Sequence, residues 1–426
     1  MALGGGTFVA QNKLIPGTYI NFVSLQAANA VISERGIATM ALATDWGVEN
    51  EIFEVTKEDF YKKSLEIFGV YYTDDKMKGL RDLFLNLNKA YFYRLTSGGV
   101  KADSEFATAK YCGTRGNDIK IIISKNIDDQ SKYDVKVLLG NTTIDKQTVA
   151  KADELVDNKY VNYKKNATLK ETASTPLTGG TNGTVDGNSH QQYLNLIEAY
   201  SYNIIATDSE DNTIRGMYVA FTKRMRDDLG KKNQLVLYDM RADYEGCINV
   251  KNSSKLVYWV AGLEASCQIN KSCANKLYDG EFEISGNYTQ NELEEAIKKG
   301  EYVLHNVNGE LRVLLDINSL TTITTEKGKV FQENQTIRTI DQIANDIALI
   351  YNTRYIGQPN NDSTRIALWS DIVNHHEQLD HIGAIEDFAA ENVKVIEGED
   401  KTSVAVEDNI KIINAMEKLY MTVIVA

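Results

Sequence analysis

The sequence predicts an α/β multidomain protein, and three observations carry that prediction. Strand-like and helix-like patterns alternate over residues 37–95 and again from about 186, the texture of a sheet flanked by helices. Between them, from Ser97 to Gly183, short β-rich runs are separated by Asn, Asp and Gly, and no helical periodicity appears. Both ends of the chain read as extended. A length of 426 residues leaves room for two to four domains.

The elements follow in order. Residues 7–24, "TFVAQNKLIPGTYINFVS", come after Gly4, Gly5 and Gly6 and contain Pro16-Gly17. The glycines read as a swivel and the rest as extended chain with one turn, able to span about 60 Å. Thr56 followed by Asp59 predicts a helix start ahead of "FYKKSLEIFG", and Met77, Leu80, Phe84 and Leu87 recur at helical spacing. "KAYFYRL" (89–95) predicts a strand. Residues 98–182, with "IKIIIS" and "YDVKVLL", predict an inserted β-sandwich bounded by glycine-rich linkers.

Beyond it, "YLNLIEAY" and "TIRGMYVAFTKRMRDDL" read as helices, and "YNIIAT" and "QLVLYD" as strands. Leu256, Val260, Leu263 and Cys267 form one helical face. Thr289 with Glu292 is a capping box, and Gly300 sits where that helix should stop. Asn308-Gly309, between two apolar runs, predicts a tight hairpin. Two long helices are expected over 334–379, the first carrying Ile337, Ile340, Ile347 and Ile350 and the second Ile366, Trp369 and Val373. "IGAIEDF", "NVKVIEG" and the tail supply further strands. The tail, "EKLYMTVIVA", is apolar or aromatic from Leu419 to Val425 except at Thr422, an edge strand with no polar end.

Composition narrows the function. A net charge of −13 argues against a nucleic-acid binder, which carries a basic face. The N-terminus lacks the basic start and apolar core of a secretory signal, and no stretch approaches a membrane span. Four cysteines in so long a chain make no disulfide framework and predict a protein made and kept in a reducing cytoplasm.

No constellation carries catalysis. His375, His376 and His381 lie beside Asp371, Glu377 and Asp380, but helical ligands recur at i and i+4 and adjacent histidines leave a helix about 100° apart. His376, in register with Trp369 and Val373, reads as a core histidine. Cys267 and Cys273 have neither zinc-knuckle nor C-x-x-C spacing. "GTRGND" (113–118) and "GKK" (230–232) fit no phosphate loop, and Gly113 and Gly116 read as turn glycines. The basic run Lys223, Arg224, Arg226 precedes Asp227 and Asp228 and reads as a solvated or interface helix face. There is no G-x-S-x-G elbow, and none of the five histidines sits in a recognisable triad context. No catalytic residue, cofactor or metal is therefore expected. An α/β hydrolase and a static, non-contractile shell or tube protein are the alternatives to an assembly protein.

Seven stretches carry a resemblance: "PGTYINFVS" (16–24), "AKYCGTRGNDIKI" (109–121), "FTKRMRDDLGKKNQLVLYD" (221–239), "VKNSSKLVYWVAGLEASCQINKSCANKLYDGE" (250–281), "LHNVNGELRVLLDINSL" (304–320), "IGAIEDF" (382–388) and "MEKLYMTVIVA" (416–426). In order and over essentially the whole chain, the sequence resembles the tail sheath proteins of contractile-tailed bacteriophages and of R-type phage-tail-like bacteriocins, in their Gram-positive form.

The resemblance implies a mixed α+β core from the N- and C-terminal parts. It implies a subtilisin-like α/β middle domain without a catalytic triad, the inserted β-sandwich, and extended arms. Residues divide as arm (1–24), α/β part of the core (25–97), β-sandwich (98–182), middle domain (183–320), C-terminal core (321–417) and strand arm (418–426). Arm contacts with neighbouring subunits fall to Phe8, Val9, Leu14, Ile15, Tyr19, Ile20 and Phe22. At the other end they fall to Leu419, Tyr420, Met421, Val423, Ile424 and Val425. The implied partners are further copies of the chain in a helical homo-oligomer, an inner tail tube protein, and baseplate and tail terminator proteins, with no nucleic acid and no membrane insertion. The implied place is a virion tail or phage-tail-like particle, assembled in the host cytoplasm and released by lysis.

Overall fold

Apolar strands without polar alternation need cover on both faces, and the first of them sets the architecture. A computed structural model describes residues 32–425. The chain begins with β1 (Ile37–Leu42), β2 (Ile52–Thr56), α1 (Lys57–Phe68), α2 (Lys78–Phe84) and β3 (Lys89–Arg94). An insertion follows with β4 (Lys101–Asp103), β5 (Ala107–Cys112), β6 (Ile119–Lys125), β7 (Tyr133–Leu139), β8 (Thr142–Val149), β9 (Val161–Tyr163) and β10 (Thr172–Pro176). Then come α3 (Gly187–Ile197), β11 (Ile204–Thr207), α4 (Asn212–Lys223), β12 (Gln234–Tyr238), β13 (Cys247–Val250) and α5 (Leu256–Ser266). After these lie α6 (Gln290–Lys298), β14 (Glu301–Tyr302), β15 (Leu304–Val307) and β16 (Glu310–Val313). The chain ends with α7 (Asn334–Ile350), α8 (Asp362–His381), β17 (Val393–Glu397) and β18 (Val404–Asp408).

Residues 35–338, with the tail from Ala415, form one unit, and residues 32–34 with Thr339–Asn414 form a second. The first is built on a seven-stranded sheet in the order β14-β13-β12-β11-β1-β3-β2, parallel except for β2. Alternate residues of each strand face opposite layers. Ala38, Met40, Ile204, Ala206, Val236 and Ile248 pack with Leu83 and Phe84 of α2 and Trp259 and Val260 of α5. Ala41, Ile205, Leu235 and Leu237 pack on the other side with Tyr193 and Ile197 of α3 and Tyr218 and Phe221 of α4.

This corrects the expected division of the chain, in which residues 25–97 share a core with the C-terminal part. Instead β1 pairs directly with β11, Ala38 opposite Ile204, and β1–β3 complete the sheet of the middle domain. The reason is burial. β1 and β11 are covered on both faces and satisfy each other's backbone, whereas β17 and β18 pair only with one another.

The insertion is a β-sandwich of a four-stranded sheet, β10-β6-β7-β8, and a three-stranded one, β4-β5-β9. Ile119, Ile121 and Ile123 of β6 and Val135, Val137 and Leu139 of β7 fill its core, alternating as a half-buried sheet requires. Its glycine-rich ends are not loose linkers. Ser97 pairs with Thr184 and Val100 with Thr181, so the two crossings form an antiparallel ribbon. Gly113 has φ +129°, and a Cβ there would lie 2.0 Å from the Asp45 carbonyl oxygen, so the turn into β6 needs glycine.

Local signals hold where their causes are local. Thr56 accepts from the Asp59 N–H to start α1, the Thr289–Glu292 capping box starts α6, and Asn308 and Gly309 take positive φ in the β15–β16 hairpin. In the second unit Leu368, Ile372 and Val373 of α8 pack on Val393, and the Trp369 indole donates to the Val393 carbonyl at 3.0 Å. Ile366, expected on the apolar face of α8, is 64% exposed, because the buried face runs through Leu368, Ile372 and Leu379 instead. "IGAIEDF" forms only the bridge of Ile385 to Ile412. Among the described residues, no helix is long and apolar enough to cross a membrane.

Candidate functional site

The site-like feature at the C-terminus is made of backbone and apolar side chains. Ala415 donates its N–H to Gln335 Oε1 at 3.1 Å. Beyond it, residues 416–425 adopt neither helix nor strand. Leu419 is 86%, Tyr420 89% and Ile424 90% exposed, and Met421, Val423 and Val425 are exposed as well. Fully burying one such side chain is worth about 1.5–3 kcal/mol, so the tail carries a large unsatisfied potential for contact. At its root the Glu333 carboxyl is pushed up to about 7 by burial and by the facing Glu417 carboxylate. The seven N-terminal arm residues, from Phe8 to Phe22, lie outside the described residues.

A second feature complements the first. β17 and β18 form a two-stranded sheet by themselves, and among the described residues no third strand pairs with either. Two strands alone are marginal in water, and an unpaired edge offers a row of backbone donors and acceptors. Ile396 and Val406 stand half-exposed on this sheet.

The residues that the sequence marks as candidates for chemistry resolve into structural roles. His375 and His376 are both fully buried, as a core histidine would be, while Glu377 and His381 are exposed. The two rings do not diverge as their backbone directions suggest: their Nδ1 atoms lie 3.2 Å apart. Ser33 bonds to the carboxylate of Asp346, which in turn faces His375. With the carboxylate between serine and imidazole, the imidazole cannot take the serine proton, so this is no hydrolase triad. His190 sits against the Tyr218 hydroxyl at 3.0 Å, and burial lowers its pKa.

"GTRGND" is a turn that leads into β6, with Arg115 bonded to the Gly69 carbonyl and to Asp118. The basic run departs from expectation at Arg226, which is buried and donates to the Asn233 carbonyl at 2.6 Å. Arg224 pairs with Glu198 at the surface. The helix widens into a π turn over Arg224–Asp228, and this rotates Arg226 inward.

One cluster escaped sequence reasoning. Arg338 of α7 reaches Glu264 of α5 and, at 2.7 Å, Asp316, all three with side chains at most 1% exposed. Ligand atoms of Glu264, Cys273 and Asp316 lie within 4.8 Å of one another, the closeness of a metal site. The guanidinium already supplies the cation there. Burial pushes the Glu264 carboxyl well up, while Arg338 holds Asp316 below the usual carboxylate range against its burial. One neutral acid, one carboxylate and one guanidinium balance. The partners are separated by more than twenty residues each, so no short motif announces them. Cys267 closes the end of α5 rather than lying on its face, and its thiol donates to the Lys271 carbonyl.

The comparison with known proteins runs over the whole chain. The phage tail sheath protein β-sandwich domain matches residues 97–182, the central domain 183–319 and the C-terminal domain 326–426. The phage-like element PBSX protein XkdK of Bacillus subtilis is 30% identical over 99% of both chains. The chain belongs to the phage tail sheath protein family. The crystal structure of a sheath tail protein from Desulfitobacterium hafniense superposes with a TM-score of 0.83 at 33% identity, covering 95% of this chain and 99% of that one. The anti-feeding prophage helical sheath in its contracted state shares the fold at 14% identity, with a TM-score of 0.60 over 97% of this chain and 99% of that one. For a sheath protein, a chain whose buried polar groups are structural and whose tail is apolar and exposed is coherent: family members are structural proteins of phage tails and tail-like particles.

Proposed function

We propose that this sheath protein polymerises helically around an inner tail tube by exchanging strands between subunits. Contraction is rigid-body rearrangement of those subunits, which drives the tube through a bacterial envelope. The observation that carries the reading is the exposed, unpaired segment Leu419–Val425, with an apolar side chain at six of its seven positions. The β17–β18 sheet of a neighbouring copy is its acceptor, and residues 7–24 dock in the same manner. Each added backbone hydrogen bond nets roughly 0.5–1.5 kcal/mol, so a strand of this length contributes several kcal/mol before side-chain burial. Alternate side chains fix its register.

Such a linkage explains how a lattice can change rise and twist without falling apart. The donated strand stays seated while its covalent connection to the body bends. The energy comes from larger contacts between subunits in the short state, and no nucleotide is required. The tube protein, the baseplate and the tail terminator are the remaining partners. Assembly takes place in the host cytoplasm and release follows lysis. The contracted helical sheath of the anti-feeding prophage, which shares this fold, supports the contractile reading over a static tube.

Deleting residues 418–426 tests it. The truncated chain should fold and remain monomeric, since, among the described residues, 418–425 pair with no strand of their own subunit. Tubes of wild-type geometry from that truncation in negative-stain micrographs would refute strand exchange.

A further inference from the structure

Two buried histidines in sequence are unusual, and their partners make them more so. His375 Nε2 lies 3.0 Å from Asp346 Oδ2, His375 Nδ1 lies 3.2 Å from His376 Nδ1, and His376 Nε2 lies 2.7 Å from Asp408 Oδ2. Three hydrogen bonds in series thus join two carboxyl groups through two imidazoles. Each bond contains one proton. Two neutral imidazoles bring only two. The chain therefore holds one proton more than two carboxylates and two neutral rings supply.

Asp346 is not its carrier. Its carboxylate accepts from His375, from Gln342 Nε2 at 2.9 Å, from the Ser33 N–H at 3.3 Å and from the Ser33 hydroxyl. Burial alone would raise its pKa, but these donors hold it below the usual value. The additional proton belongs to the two rings and Asp408. Among the other charged groups on the surrounding elements, Glu377, Asp380 and His381 of α8 and Glu397 of β17 are exposed, and Asp341 of α7 is buried with an interaction of its own. Asp371 pairs with Arg354, Lys394 with Glu407, and Lys411 with Glu386 and Asp387, while the face of His376 meets the Phe388 ring.

We propose that Asp346, His375, His376 and Asp408 form a single-proton clamp that closes with one shared proton and opens when that proton is lost or a second is gained. Loss leaves two Nδ1 lone pairs facing each other at 3.2 Å, and gain sets two N–H groups head to head. Either change breaks the central bond, so the closed state has a pH optimum with weakening on both sides. The same Asp346 carboxylate grips Ser33, the residue at which the segment 1–31 joins this unit. The clamp therefore governs how firmly the root of that segment is held. That consequence rests on reading the segment as an arm; the proton count does not.

The test uses the full chain labelled with 15N at its five histidines and measured by magic-angle spinning in whatever assembly it adopts. The expected result is three N–H groups over the four ring nitrogens of His375 and His376, or two with Asp408 protonated, as reported by its side-chain 13C shift. Two N–H groups with Asp408 ionised, or four, overturn the clamp. So does a stoichiometric divalent ion whose removal by EDTA shifts these lines, since the Nδ1 pair would then be a metal site. In thermal melts from pH 5 to 8, His376→Asn keeps an acceptor for His375 without titrating and should remove the stability maximum. Asp408→Asn, at a partly exposed position, should move the maximum to lower pH, and an unchanged profile in both variants overturns the proposal. Tube formation enters none of these readouts, so their failure leaves strand exchange standing.

Discussion

Replacing Arg338 by methionine removes the only cation from a buried cluster and leaves its acids in place. Arg338 donates to Glu264 Oε2, to Asp316 Oδ2 at 2.7 Å and to the Lys271 carbonyl at 2.8 Å, and all three charged side chains are at most 1% exposed. Asp316 keeps the Cys273 N–H at 2.8 Å and the Asn334 amide at 2.9 Å, but loses its counter-charge. Stranding one member of a buried ion pair costs about 3–5 kcal/mol. At roughly 1.5 °C per kcal/mol for a unit of this size, the melting temperature should fall by about 4–8 °C in a fluorescence melt.

The sign with pH follows from the stranded acid. Without the guanidinium the Asp316 carboxyl rises above its unfolded value, so the loss grows as pH rises from 5 to 8. Adding Asp316→Asn neutralises it, and the double variant should regain at least half of the loss. An Arg338→Met chain that melts within about 2 °C of the parent at pH 8 would show that the cluster is hydrated or relaxes freely, and the charge-balance argument would fail.

Burial pushes the fully buried Asp82 carboxyl up to about 6, despite bonds from the Glu281 N–H and the Tyr278 hydroxyl. An acid raised from 3.8 carries stability that is present below the lower value and is lost as pH climbs to the higher one. Asp82→Asn should therefore stabilise the chain more at pH 7.5 than at pH 4.5, by roughly 2 kcal/mol, read from denaturant midpoints. Gly113→Ala meets both a left-handed backbone and the Asp45 carbonyl, so a loss of at least roughly 1–3 kcal/mol is expected in the same assay. Hydrogen bonding from Cys273, aided by Arg338, lowers the Cys267 thiol to about 7, and Cys267 alone among the four cysteines is not buried. Iodoacetamide at pH 7.5 should label it first, as peptide mass mapping would show; faster labelling of Cys112 or Cys247 would contradict this.

What could be read from the sequence had causes a few residues long. The Thr56 cap, the Thr289–Glu292 box and the Asn308-Gly309 turn each depend on neighbours within one helical turn, and each was legible. The β-sandwich was legible because Ile119, Ile121 and Ile123 alternate against polar residues. Pairing across the insertion was not: nothing in "IATMAL" says that its neighbour is Ile204 rather than a C-terminal strand. β13, four residues long, and β18, which ends in the adjacent charges Glu407 and Asp408, fell below any pattern threshold. The meeting of the two histidine rings was not legible, because side-chain rotation, which backbone geometry does not fix, turned them together. Arg226 looked like a surface charge because its partner lies behind a π turn, and Arg338 drew no notice because its partners are remote in sequence.

The treatment of sheet edges tells where exchange is directed. The seven-stranded sheet ends on one side in β14, only two residues long, and on the other in antiparallel β2, whose Glu54 is exposed and paired with Lys89. Short and charged edges are the usual defences against unwanted pairing. The β17–β18 sheet carries a charge pair as β2 does, Lys394 with Glu407, and its strands also run five residues each, but it presents Ile396 and Val406 half-exposed beside those charges. A protein under pressure only to stay soluble would protect the small sheet first, since two strands are the less stable. The half-exposed Ile396 and Val406 are what single out the small sheet as the acceptor in the proposed strand exchange. The corresponding experiment is a charge on the reserved surface. Ile396→Lys should leave the melting temperature nearly unchanged, since the side chain is half-exposed, yet raise the concentration at which tubes form by tenfold or more. Equal losses of stability and assembly would instead make Ile396 part of the unit's own packing, and the acceptor would have to be sought elsewhere.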